Sequence, residues 1–158
     1  MSGPKVEFPP LLKPGFHPMT LTDLRMMCVV PFTLSSTREA IMDGLEIVVD
    51  RLRVDGIEGE LWVDGSFLTE KIDPEDSDVV MVVNSDYLAT ATALQQATLD
   101  WLGTDLKTSH RCDSYVLVSY PMGHAQAGFG EWMRAYWIRQ FGFSRGFDLK
   151  GMPVIKVP

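Results

Sequence analysis

Polar and apolar positions along the chain switch between a helical and an extended period, and the switches mark out its elements. Thr20 to Met27 carries a Thr cap and mixed apolar spacing, which predicts a short helix, with Pro31 ending whatever follows. Ser36-Thr-Arg-Glu39 reads as a capping box ahead of Ile41, Leu45, Val48, Val49 and Leu52, which share one face at helical spacing and predict a helix over about 36–54. Gly56 and Gly59 break it. Glu60 to Val63 then reads as a short strand ending at Asp64-Gly65-Ser66, and Pro74 closes the loop that follows. Asp78 to Val83 is a β-branched apolar run suited to a strand buried on both faces. Ser85 or Asp86 can cap one helix across Leu88, Ala91, Gln95, Thr98 and Leu102, stopped by Gly103. Ser114 to Tyr120 is a third strand stopped by Pro121, residues 123–130 a loop, Glu131 to Phe141 a helix stopped by Gly142, and Val154 to Val157 an edge strand. Helices interleaved with strands in this order predict an α/β (α+β) fold, a mixed sheet of about four strands flanked by helices.

Ahead of all this, residues 1–19 hold five of the ten prolines, so neither helix nor interior strand fits there. We expect an extended lead-in over 1–19 and one domain over 20–158. The chain of 158 residues is 46% hydrophobic and 22% charged, which excludes wholesale disorder, and its apolar runs are far short of a bilayer span. No basic segment followed by an apolar core opens the sequence, so a cytoplasmic protein without membrane contact is expected. Two cysteines, Cys28 and Cys112, are too few for a disulfide framework, and His110 with Cys112 lacks the further ligands that zinc needs. The net charge is −7, yet residues 131–158 carry five basic residues against two acidic ones. An acidic body repels duplex DNA, so a polyanionic partner would have to meet the C-terminal segment or a metal ion.

The chemistry concentrates in residues 61–83. A strand ends in Gly65-Ser66, and ten residues after Ser66 two aspartates, Asp76 and Asp78, stand at the mouth of an apolar strand. Alternation puts both on one side of that strand, about 7 Å apart at Cα. With Asp73 and Glu75 nearby, such carboxylates repel one another unless a cation bridges them, and Mg2+ suits hard oxygen ligands that leave room for phosphate. Glycine lets the backbone approach a phosphate closely, and the amides opening the next turn, with the Ser66 hydroxyl, can donate to its oxygens. Asp76 to Asp78 could equally be a solvated turn feeding a buried strand. Lys71 is a second candidate phosphate contact or a plain surface residue. Arg134, Arg139 and Arg145, interleaved with Trp132, Tyr136, Trp137, Phe141, Phe143 and Phe147, either reach a nucleotide or pair with the acidic body on a core-facing helix.

Gly65-Ser66 followed by Pro74-Glu-Asp76-Ser-Asp78 and an apolar strand resembles the signature of the nucleotidyltransferase superfamily, the fold shared by polymerase β and minimal antitoxin-type nucleotidyltransferases. Pro14-Gly-Phe-His-Pro18, Asp64 to Thr69 and Arg134 to Arg145 further resemble a small bacterial and phage branch of it. The resemblance implies a nucleoside triphosphate substrate, Mg2+ held by Asp76 and Asp78, and a nucleotidyl group passed to a hydroxyl of a protein or RNA acceptor in a toxin–antitoxin or phage-defence setting. It also implies a third carboxylate on the neighbouring strand, for which Asp113 is the candidate, although its neighbours Cys112 and Ser114 depart from the usual apolar pair and leave strand capping as the other role. The competing expectation is a catalytically inactive protein of the same fold that binds a cognate partner through its acidic face.

Overall fold

A computed structural model describes residues 5–158; the first four, including Pro4 at the start of the proline-rich lead-in, lie outside the described residues. The chain forms β1 (Gly15–Pro18), α1 (Leu21–Cys28), α2 (Arg38–Val54), β2 (Gly59–Asp64), a 3-10 turn (Ser66–Leu68) and β3 (Ser77–Asn84). Then follow α3 (Ser85–Ala89), α4 (Ala93–Leu102), α5 (Lys107–His110), β4 (Cys112–Ser119), α6 (Ala127–Gly142) and β5 (Gly151–Val157). This is a mixed α+β fold whose sheet has five strands, one more than expected, in the order β1-β5-β2-β3-β4. The outer pairs β1/β5 and β3/β4 run parallel, and β2 is antiparallel to both its neighbours.

Two of the differences from expectation lie in the sheet. β5 is interior rather than an edge strand: its first half pairs with β1 and its second half with β2, the two overlapping at Val154. Pro153 disguises it, because proline cannot donate to a ladder and normally marks an edge; here it falls in the half that faces β1. The fifth strand comes out of the proline-rich lead-in, whose Gly15–Pro18 forms the short outer edge.

Capping explains the helical differences. Thr20 caps α1 as expected, in a reciprocal box with Asp23. At α2 the expected Ser36/Glu39 box does not form. The Ser35 hydroxyl instead accepts from the N–H groups of Thr37 and Arg38, the Ser36 N–H goes to Asp73 at 2.7 Å, and Glu39 turns to Arg25. The single helix expected over 85–102 is two, because Thr92 and Gln95 form their own capping box and start α4 afresh, while Asn84 rather than Ser85 or Asp86 caps α3. α6 begins at Ala127, inside the stretch expected to be a loop.

Alternation divides the strands between two cores. Val63, Val79, Met81 and Ile155 face α1, α2 and α4 in the larger core, with Ile41, Leu45, Val48 and Leu52. Trp62, Val80, Leu117 and Val154 face α6 and pack with Phe141 in a smaller one. No helix among the described residues is long and apolar enough to cross a membrane.

Candidate functional site

The smaller core gives way to acid at one end of the sheet. Asp64 closes β2, Asp78 stands second in β3 and Asp113 second in β4, and the register sets Asp64 opposite Asp78 and Asp78 opposite Asp113. Neighbouring strands lie about 4.8 Å apart, so three carboxylates stand abreast in one row. Each is two residues along its strand from Trp62, Val80 or Tyr115, so the row belongs to the face covered by α6. Asp76 leads into β3 and joins the group from the front.

Two lysines answer these charges unequally. Lys150, just before β5, sets its Nζ between both oxygens of Asp64, at 2.7 and 2.8 Å. Asp64 is only 5% exposed, and burial pushes its carboxyl up to about 6 against the opposing pull of Lys150 and the Gly65 N–H. Lys107, opening the short α5, reaches Asp76 at 3.3 Å and Asp113 at 3.4 Å, and these two carboxylates raise its own ammonium pKa. The Tyr115 hydroxyl donates to Asp113 at 3.1 Å. Asp78 has no ion-pair partner among the described residues, and burial, with the charges of Asp76, Asp64 and Asp113, pushes it up to about 7.

Gly65 lies directly over Asp78. Its φ of 96° belongs to glycine, and a Cβ there would collide with Asp78 Oδ2, so both conformation and space exclude a side chain. The turn beyond it is held from below by Arg38. Although 1% exposed, this arginine uses all five of its N–H donors on the carbonyls of Cys28, Phe67, Thr69 and Lys71, with its guanidinium 3.6 Å from the Phe32 ring. The Ser66 hydroxyl makes no hydrogen bond among the described residues, while its carbonyl accepts from the Thr69 N–H and hydroxyl.

Of the residues singled out in the sequence, Asp76, Asp78 and Asp113 are therefore brought to one place, with Gly65 and Ser66 beside them. Asp113 is an in-register member of the row rather than a cap. Lys71 forms no ion pair with these aspartates; its backbone carbonyl serves Arg38. Arg134 lies over Trp62 and Phe16 on the face that carries the row, Arg139 lies over Phe147, and Arg145 is exposed. None of the three arginines pairs with a carboxylate among the described residues, so the expected pairing with the acidic body is absent. The cations that do stand at the row, Lys107 and Lys150, carried no signal in the sequence, whereas Asp64 stood in plain view beside Gly65-Ser66. Among the described residues, no three His, Cys, Asp or Glu side chains are gathered as a metal-holding set.

The family described as "Family of unknown function (DUF6932)" matches residues 4–156, nearly the whole chain. This chain belongs to that family. No curated protein and no solved structure matches it significantly. The DUF6932 match spans every element of the sheet, so the aspartate row and the Gly65 turn lie within the family domain.

Proposed function

We propose that this chain is a Mg2+-dependent nucleotidyltransferase that moves a nucleotidyl group from a nucleoside triphosphate to a hydroxyl of a protein or RNA acceptor, with pyrophosphate as the leaving group. The observation that carries the reading is Asp78: largely buried, without a cation, crowded by three carboxylates, and lying beneath a turn that only glycine can make. At Asp78 the negative charge outweighs the positive, and the hard oxygen donors there are those Mg2+ takes. Asp76, Asp78 and Asp113, which are not gathered as a metal-holding set as they stand, would have to draw in around the metal, which when bound would neutralise the charge developing on the transferred phosphoryl group.

The chain's own groups have separable tasks. The N–H groups after Gly65 and the Ser66 hydroxyl donate to phosphate oxygens, and the Arg38 scaffold keeps that turn fixed, so that no ordering is required when the ligand arrives. Asp113, steadied by Tyr115, would orient the acceptor hydroxyl. Lys150 neutralises Asp64 and so leaves the row's other carboxylates as the donor set.

One observation favours a second reading. Lys107 already stands between Asp76 and Asp113, so the chain partly neutralises the row by itself, as suits a non-catalytic protein of this fold that binds a cognate partner. Thermal unfolding with each triphosphate, with and without Mg2+, separates the two. A ligand at 100 times its dissociation constant adds about 2.7 kcal/mol to the native state. The transferase reading expects a stabilisation that needs both metal and triphosphate and transfer of label from the triphosphate to RNA or protein. Unchanged unfolding in every mixture supports the partner-binding reading.

A further inference from the structure

α6 carries apolar side chains on two faces. Its inner face, with Ile138 and Phe141, packs on the sheet, yet Phe129, Trp132 and Tyr136 are 59%, 67% and 46% exposed. At about 100° per residue these three rings and Arg139, one turn beyond Tyr136, fall within about 80° of one another on the outer face. The same count places Glu131, the one acid of α6, about 100–160° around the helix from the rings. Single exposed apolar residues are ordinary, whereas contiguous ones mark a contact surface. Phe129 and Trp132 stand 6.3 Å apart at their centroids, and Trp132 and Tyr136 are neighbours at i and i+4. From Tyr136 the rings continue inward to Trp137 at 5.1 Å, and Trp137 stands 4.6 Å from Tyr115 of β4, whose hydroxyl donates to Asp113. A track of aromatic rings thus leads from the aspartate row to the outer face of α6.

We propose that this track binds the single-stranded end of an RNA, with bases stacked on Phe129, Trp132 and Tyr136 and a phosphate met by Arg139. Charge decides the occupant. Arg139 lies over the exposed Phe147 ring and pairs with no carboxylate among the described residues, so its charge is left for an outside anion. Glu7 and Asp148 stand at Gly146 beside Arg145, which is why the phosphate contact is assigned to Arg139. The chain's net charge of −7 repels an anion only within a Debye length, about 8 Å in physiological salt, and residues 131–158 are themselves net basic. An apolar protein face would use the rings and leave the arginine idle, and a duplex would offer phosphates but keep its bases stacked inside. An unpaired strand uses both. The proposal rests on the nucleotidyltransferase reading in one respect, that the strand's terminal hydroxyl lies at the Asp113 end of the track.

Fluorescence anisotropy of a labelled oligouridylate of about ten nucleotides, with the full chain in chelator and no triphosphate, reads this surface apart from any transfer. The single strand should bind more tightly than an RNA duplex of the same length. Trp132→Ala and Tyr136→Ala should each weaken binding about 5- to 100-fold, Trp132→Phe should keep most of it, and Leu34→Ala, at an exposed residue elsewhere, should leave it unchanged. Arg139→Gln should weaken binding and flatten its salt slope by about 0.7. No binding by the wild type, or binding untouched by Trp132→Ala and Tyr136→Ala, would overturn the proposal. So would equal affinity for the duplex, tighter binding of the deoxy strand, or self-association abolished by Trp132→Ala, which would give the rings to a second copy. If the variants misfold, shielding of the wild-type tryptophan fluorescence from acrylamide by the oligonucleotide decides, because Trp132 is the exposed one of the four. Binding without label transfer when Mg2+ and triphosphate are added supports this surface and counts against the transferase reading; transfer to protein without RNA binding does the reverse.

Discussion

Arg38 and Asp78 are both charged groups taken largely out of water on either side of the Gly65–Lys71 turn, and they are treated in opposite ways. Arg38 finds five carbonyl contacts and an aromatic ring, and so ties the end of α1, the start of α2 and the turn after Gly65 into one piece. Asp78 finds no ion-pair partner among the described residues, and three like charges outweigh the pull of Lys107. A buried charge that is fully satisfied makes a scaffold, whereas one left unsatisfied stores a preference for something that is not part of the chain. The scaffold and the unsatisfied site adjoin at the Gly65–Lys71 turn, so the rigid part presents the poised part.

Breaking the scaffold should have the largest effect. Arg38→Met removes all five donors and leaves buried carbonyls unpaired, which should cost about 3–5 kcal/mol in urea unfolding. Arg38→Lys should recover only a fraction, because three donors on one nitrogen cannot reach four carbonyls on separate segments. A loss below about 1 kcal/mol for Arg38→Met would show that water replaces the guanidinium and that the turn holds itself.

Lys150 tests whether the row also contains a satisfied member. Lys150→Met leaves Asp64 buried with no counter-ion, and we expect a loss of about 2–4 kcal/mol in the same unfolding measurement. Adding Asp64→Asn should restore much of it, since the pair then disappears together. Equal losses in the single and double variants would mean that the Lys150 stem, rather than its charge, matters.

The contrast between these regions also explains how much could be read in advance. Strong local patterns were legible: the α2 face through Ile41, Leu45 and Leu52, the β-branched run of β3, and the acids Asp76 and Asp78. Asp113 came from resemblance, and only the parallel register of β3 and β4 puts it beside Asp78. What stayed hidden depends on distant partners. Arg38 stood unmarked inside the expected Ser36–Glu39 box because backbone carbonyls leave no mark in a sequence, and Lys150 is far along the chain from Asp64, as Lys107 is from Asp76. β5 was half seen because Pro153 truncates its pattern, although pairing with β1 tolerates the missing N–H.

Removing the unsatisfied charge should stabilise the metal-free protein. Asp78→Asn deletes a carboxylate whose folded value, about 7, lies above its unfolded value near 3.8. At and above pH 7 the ionised form is disfavoured in the fold, and the variant should gain about 1–3 kcal/mol in chelator. The sign with pH follows: as pH falls from about 7 towards about 4 the folded protein takes up the proton first, so the wild type should draw level with the variant. Unfolding free energies at several pH values check this, and a gap that widens on acidification would show that the Asp78 carboxylate is paired after all.

The smallest effect on stability belongs to Lys107, and it sharpens the comparison most. Its side chain is 47% exposed, so its pairs with Asp76 and Asp113 are screened by water, and Lys107→Gln should change stability by less than about 1 kcal/mol in chelator. Its effect on Mg2+ should be larger, because the ammonium stands where the proposed donors converge and must move when a cation enters. Titration calorimetry with Mg2+ should therefore show tighter binding in the variant, accompanied by little change in unfolding. Weaker binding would place Lys107 among the groups that assist the ligand. Absence of binding in both proteins would leave the ammonium as the permanent partner of the row, making the acidic end of the sheet a second scaffold like the one around Arg38.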